Sequence, residues 1–191
     1  MAMPAVKRRW TAREVRQLIA ESPLATPRYE LVDGELLVTP SPSFPHQRAV
    51  NLLWQALNEY LKRNPVGRAS TSPFDVELEP ETLVQPDMFV VPMHEARRLI
   101  KEMPARELLV AAEVLSPSSG RHDRVTKRAS YQRNVPEYWI VDLDARLFER
   151  WRSGEERPEV LVRMLEWHPQ GAAEPFTLDL PAYFSAVFDE G

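Results

Sequence analysis

The chain has 191 residues, 43% apolar and 27% charged, with no cysteine and a formal net charge of −4. That length and balance suit one soluble domain around one sizeable core, and the lack of cysteine excludes disulfide and thiolate chemistry, so any metal must use oxygen or imidazole ligands, which favours Mg, Mn or Ca. The acidic total argues against nonspecific coating of nucleic acid, no apolar run approaches the roughly 20 residues of a membrane span, and the basic stretch from Met1 to Trp10 lacks the apolar run of a secretory signal.

The expected location is therefore the cytoplasm. Eighteen prolines against six glycines restrict the unfolded chain, which with the missing cysteine leans towards a thermostable protein. Charge is uneven along the chain. From Arg97 to Arg133 nine basic residues face four acidic ones, a local excess of +5. That stretch is either a surface for phosphates or an ordinary solvated helix face.

Trp10 to Glu21 reads as a helix. Thr11 and Glu14 form a capping box, and Trp10 and Val15 a hydrophobic staple. Val15, Leu18 and Ile19 make one apolar stripe, and Pro23 stops the helix. Tyr29 to Val38 is a hairpin, because Asp33-Gly34 is a type I′ pair between two β-prone runs. A Pro-Ser loop, Thr39 to Pro45, leads to a helix capped by Ser43. His46, Val50, Leu53, Leu57 and Leu61 recur at helical spacing to about Arg63.

Val66–Ser70 and Phe74–Leu78 read as short strands. Val84 to Val91 is a third, carrying Asp87. Met93 to Met103 is expected to be helical, with Ala96, Leu99, Ile100 and Met103 inward. Leu108 to Leu115 is an almost continuous apolar strand, as in sheets covered on both faces, and Glu113 interrupts it. Asp123 to Arg133 reads as a short helix with Asp123 as N-cap. Asp123, Lys127 and Tyr131 then share one face, and Asn134 takes the left-handed position after it. Tyr138 to Val141 is a buried strand, so Tyr138 and Trp139 read as core. Leu147–Trp151 and Glu159–Trp167 are further strands, and Leu178–Phe188 is a terminal helix. The whole predicts an α/β fold, a mixed sheet flanked by helices, in a single domain spanning 1–191 with its core at about 29–151.

The acids are the odd feature, since a carboxylate in an apolar strand is costly unless paired, hydrogen-bonded or metal-bound. Two such strands, with Asp87 and Glu113, invite the reading of a divalent-metal site. Each residue also has a plainer reading. Asp87 after Pro86 is also a strand-edge acid, and Glu113 also an N-terminal cap contact or one half of a buried pair with an arginine. Lys127 is also a surface partner for Asp123. Asp123 is accounted for as a cap. His46 reads as a metal ligand, a phosphate donor or a core polar contact. His94, His122 and His168 have no zinc-site spacing.

Several ordered blocks are similar to the Uma2 (DUF820-like) family of the PD-(D/E)XK nuclease superfamily. They are Tyr29 to Glu35, the Pro-Ser loop with His46, Gln85-Pro86-Asp87, Glu113 to Ser119, Asp123 with Lys127 and Tyr131, and Val135 to Asp142. The resemblance implies a restriction-endonuclease-like core with an N-terminal helix and hairpin and a C-terminal β extension. It implies phosphodiester hydrolysis in DNA. Asp87, Glu113 and the backbone carbonyl of Val114 would hold Mg²⁺ or Mn²⁺, Asp87 and Glu113 acting catalytically with Lys127. Glu30, His46, Asp123 and Tyr131 would support them. Leu115 stands where the superfamily usually has a lysine, and Lys127, on the neighbouring helix, would take its role.

Two other classes stay open. One is a catalytically inactive nuclease-like fold that binds nucleic acid or a protein. The other is an assembly protein, in which Trp151, Trp167, Phe176, Tyr183, Phe184 and Phe188 form a dimer face. A homo-oligomer is expected on either the enzymatic or the assembly reading. No reader helix or separate specificity domain is visible.

Overall fold

A computed structural model describes residues 8–22, 27–116, 120 and 122–190. The chain opens on α1 (Ala12–Glu21), where Thr11 and Glu14 make the reciprocal capping box. Val15 is fully buried, with Trp10 and Ile19 packed beside it. The expected stop at Pro23 lies outside the described residues. The hairpin of β1 (Arg28–Val32) and β2 (Glu35–Thr39) pairs Val32 with Glu35. Its turn residues Asp33 and Gly34 have φ of 48° and 79°, as a type I′ turn requires.

The helix α2 (Phe44–Arg63) is capped by Ser43, whose hydroxyl accepts from the His46 N–H. β3 (Gly67–Thr71) and β4 (Val76–Glu79) follow, so Phe74 lies outside the strand expected for it. The strand expected from Val84 to Val91 is two strands, β5 (Thr82–Val84) and β6 (Met88–Pro92), in different sheets. Pro86 has no N–H to give a ladder, and the chain crosses from one sheet to the other over Gln85-Pro86-Asp87.

α3 (Met93–Arg98) is shorter than expected, and Ile100 and Met103 are 82% and 54% exposed rather than inward. Arg98 donates to the Pro104 carbonyl at 2.6 Å, and the Arg106 N–H to Glu95 at 2.6 Å. These bonds fold the chain back before the helix can continue. β7 (Val110–Val114) is wholly buried.

The expected helix from Asp123 is a π-helical stretch (His122–Lys127) followed by α4 (Arg128–Asn134). Asn134 is inside the helix, its amide donating to the Ser130 carbonyl at 2.9 Å. The residue that leaves is Val135, which is extended, as a residue before proline prefers.

β8 (Glu137–Asp142), β9 (Leu147–Arg152) and β10 (Glu159–Leu161) complete a six-stranded sheet of order β10-β9-β8-β7-β6-β3. Within it β7 and β8 run parallel, and the π stretch and α4 form the crossover between them. A second sheet has order β2-β1-β5-β4. The strand expected from Glu159 to Trp167 is divided, since β11 (Met164–Trp167) pairs with β12 (Phe176–Asp179) in a sheet of their own. α5 (Leu180–Phe188) is capped by Asp179.

Period-two alternation sorts the central strands onto two cores. Met88, Val90, Val110, Ala112, Trp139 and Val141 join α2 and α5 on one face. Phe89, Ala111, Tyr138 and Ile140 face the second sheet and α4. The aromatic residues expected on a dimer face are in the chain's own core. Trp151, Trp167, Phe176, Tyr183 and Phe184 are all buried, and Phe188 packs on them. Their spacing marked them as apolar but not which surface they cover. Among the described residues, no helix is long and apolar enough to cross a membrane.

Candidate functional site

The pairing of Met88 with Ala112 and of Phe89 with Ala111 sets Asp87 opposite Glu113. By alternation both lie on the face of the second sheet and α4. The Asp87 N–H donates to Glu113 Oε2 at 3.4 Å, and the Val114 N–H donates to Asp87 Oδ2 at 2.9 Å. The Val114 amide thus also serves the acid pair. The π stretch then brings Lys127 over them. Its Nζ lies 2.8 Å from Glu30 Oε2, 3.0 Å from Glu113 Oε1 and 3.4 Å from Asp123 Oδ1. Asp123 is therefore a partner of Lys127 inside the helical turn rather than its cap. π turns recur at functional sites because they re-aim side chains relative to α winding.

Tyr131 stands one α-helical turn after Lys127 and donates to Glu113 Oε1 at 3.1 Å. Its ring stacks on Tyr138 with centroids 4.5 Å apart. Glu30 accepts from the Gln85 N–H at 2.7 Å, so the crossing segment between the sheets is tied to the same cluster. His46, in the first turn of α2, places Nε2 3.0 Å from Asp87 Oδ2. All seven expected side chains (Asp87, Glu113, Lys127, Glu30, His46, Asp123 and Tyr131) thus meet in one place. Leu115 packs on the apolar core.

One neighbour was not anticipated. Arg28 Nη1 donates to Asp87 Oδ1 at 2.8 Å and to the Gln85 carbonyl at 3.4 Å. The signal lay in alternation along β1, where Arg28, Glu30 and Val32 share a face and all are buried. Charged residues at inward positions of an apolar strand are the same anomaly that singles out Glu113.

The electrostatics follow from crowding. Four buried carboxylates (Glu30, Asp87, Glu113 and Asp123) surround two fixed cations, Arg28 and Lys127. Burial pushes Glu113 well above the usual range, Lys127 opposes it, and Asp87, Asp123 and Glu30 add to the rise. Burial also works to raise Asp87, but the hydrogen bond and charge of His46, then Arg28 and Lys127, hold it well below the usual range. Burial disfavours the Lys127 ammonium, yet Glu113, Glu30 and Asp123 outweigh it and keep the lysine protonated. Burial and the nearby Glu113 and Glu30 charges raise Tyr131, keeping it a neutral donor.

The cluster forms the wall of a cavity of about 190 Å³, reached past the Pro-Ser loop and lined by Arg28, Ser43, His46, Asp87, Glu113 and Lys127 among others. Hard oxygen donors short of positive charge suit Mg²⁺ or Mn²⁺. In this arrangement the carboxylate oxygens are taken up by protein donors. Among the described residues, no group of three acidic or histidine side chains is set to hold an ion.

A mixed sheet carrying paired acids on adjacent strands, with a lysine from the following crossover, defines a protein of the restriction-endonuclease-like nuclease fold. The model of the Uma2 family, described as "Putative restriction endonuclease", matches residues 14–181. The chain belongs to that family. Among solved structures, a crystal structure titled as a putative nuclease belonging to DUF820, from Anabaena variabilis, superposes with a TM-score of 0.72 at 18% identity. The match covers 88% of this chain and 96% of that one, and the likeness is one of fold. No curated protein matches the chain.

Proposed function

We propose that this protein is a metal-dependent endonuclease that hydrolyses phosphodiester bonds in DNA, working as a single domain. The observation that carries the reading is the meeting of Asp87, Glu113 and Lys127 on an open cavity, within a cluster that has four carboxylates for two fixed cations. Asp87 and Glu113 would hold Mg²⁺ or Mn²⁺. When bound, the ion supplies an acidified water and charge to neutralise the phosphate.

The chain's own groups have separate tasks. Lys127, held protonated by its three acids, cannot serve as a base. It orients the attacking water or neutralises charge developing on the phosphate oxygens. Tyr131 fixes one oxygen of Glu113, and His46 and Arg28 fix Asp87 in its ionised form. The attacking water oxygen forms a bond to phosphorus as the bond to the leaving sugar oxygen breaks, the water giving up a proton to solvent and the leaving oxygen taking one from solvent. Because Glu113 must lose its proton to act as a ligand, ion affinity rises with pH.

Calorimetric titration with Mn²⁺ tests the reading, run beside nicking of supercoiled DNA. Wild type should take up the ion and cut. Asp87→Ala and Glu113→Ala should do neither, and Lys127→Ala should lose cutting. A folded wild type that takes up no ion overturns the metal site.

One observation favours the inactive-fold reading. Both oxygens of Asp87 and of Glu113 already have protein donors. On that reading DNA binding falls steeply with salt and is indifferent to Glu113→Ala.

A further inference from the structure

Asp87 lines two cavities. The second, about 250 Å³, is lined by Gln47, Val50, Ser72 and Pro73 and shares Arg28, His46 and Asp87 with the first. Arg28 therefore belongs to both. Its side chain is only 9% exposed, yet its two hydrogen bonds leave from a single nitrogen, Nη1. The buried Nε has no hydrogen-bond partner among the described residues.

An unsatisfied donor on a buried guanidinium is unusual, since such groups normally find partners. A guanidinium makes its two-pronged contacts with phosphate through parallel N–H groups. The Nε edge is one such fork. Here Nη1 holds Asp87 while the buried Nε is left without a partner, on a side chain that lines both cavities. A ligand that takes that edge with two parallel bonds carries paired oxygens, is best anionic, and lies next to Asp87. A phosphodiester meets all three conditions.

We propose that Arg28 is a phosphate-binding residue, taking a backbone phosphate of the nucleic acid on its Nε edge while Nη1 keeps hold of Asp87. This rests on the phosphodiester substrate proposed above. It adds an anchoring point beyond the reacting centre and makes Arg28 a link between substrate binding and the position of the metal-binding acid. A lysine at this position can pair with Asp87 but cannot present the fork.

The full chain is compared as wild type, Arg28→Lys and Arg28→Met. Binding to a short labelled DNA is read in EDTA over a range of salt, inorganic phosphate is used as competitor, and Mn²⁺ affinity is read by calorimetry. Arg28→Lys should keep its fold but bind DNA in EDTA about tenfold or more weakly, the worth of a charge-assisted hydrogen bond, while its Mn²⁺ titration reads separately how far the lysine still holds Asp87. Arg28→Met should lower the slope of log K against log salt by about one, the loss of one phosphate contact. Phosphate should compete with DNA in wild type and not in Arg28→Lys.

Arg28→Lys with wild-type DNA affinity would mean that Arg28 only pairs with Asp87, and the inference fails. Competition by phosphate that is the same in all three proteins also overturns it. No DNA binding by wild type defeats the substrate reading and the inference together. DNA binding with the Arg28 pattern but without Mn²⁺ uptake defeats the metal site and leaves the phosphate contact standing.

Discussion

Glu95 and Glu113 are both buried glutamates, 5% and 1% exposed, and they behave in opposite ways. Glu95 faces one arginine squarely. Arg98 donates Nη2 to Oε1 at 2.6 Å and Nε to Oε2 at 2.9 Å, and the Arg106 N–H adds a third bond. The Arg98 hydrogen bonds outweigh burial and hold Glu95 down at about 2. Its charge is balanced within one helix turn, and the result is a stop for α3. Glu113 shares one ammonium with two other acids and stands opposite Asp87, so burial and like charges drive its carboxyl up. A closed pair is structural. A buried cluster with more acids than fixed cations holds perturbed groups, and groups of that kind gather at functional sites.

The largest expected effect comes from removing the shared cation. In EDTA at pH 7, Lys127→Met should cost about 3–5 kcal/mol, because it strands buried carboxylates. Urea unfolding measures it, and a loss below about 1 kcal/mol would show that the cluster stands without its lysine. The two glutamates should then part ways. Glu95→Gln should destabilise by about 1.5–3 kcal/mol, the worth of hydrogen bonds to a charged group. Glu113→Gln in the same buffer should be neutral or stabilising, since a neutral amide avoids the cost of ionising a buried carboxyl among other acids. Equal losses in the two variants would erase the contrast.

Their pH profiles sharpen it further. Glu113 has a folded pKa above the ordinary 4.5, so its contribution is full below that value and fades as pH rises through the raised one. Glu95 has its folded pKa lowered from 4.5 to about 2, so its contribution is full above 4.5 and is lost as pH falls through that window. In metal-free urea melts, Glu95→Gln should flatten the acid limb and Glu113→Gln the decline on the alkaline side. The smallest effect belongs to the exposed Arg133, which bridges Asp33 and Glu79 at 3.1 and 2.9 Å. Arg133→Ala should cost about 0–1 kcal/mol, less at high salt.

The elements that could be read along the chain are those whose signals span a few residues. Thr11 with Glu14, Asp33-Gly34 and Ser43 each set a boundary through bonds made within one turn. Glu113 was legible for a different reason, as a charge inside an apolar strand. Other features were not legible. One strand was expected where the chain passes between two sheets at Pro86, because both halves are equally β-prone and only pairing partners distinguish them. The π winding of His122–Lys127 left no mark in spacing, since residues four apart share a face in the α reading and Lys127 meets Asp123 in either. Arg28 is marked locally only as a charge at an inward position of β1, and which acid it serves depends on Asp87, far from it in the chain.

By itself, then, the sequence determined the caps and turns, the apolar strands and α2, and the two acids that such strands should not carry. These follow from local hydrogen bonding and from period, which any short window contains. The tertiary structure alone decided that Glu30, Asp87, Glu113 and Asp123 meet around one lysine, that Arg28 and His46 hold Asp87, and that the C-terminal aromatics cover the chain's own core. The reason is physical. The cost of a buried charge is set by what else is buried beside it, and those neighbours come from strands and helices that only sheet pairing and the β7–β8 crossover bring together.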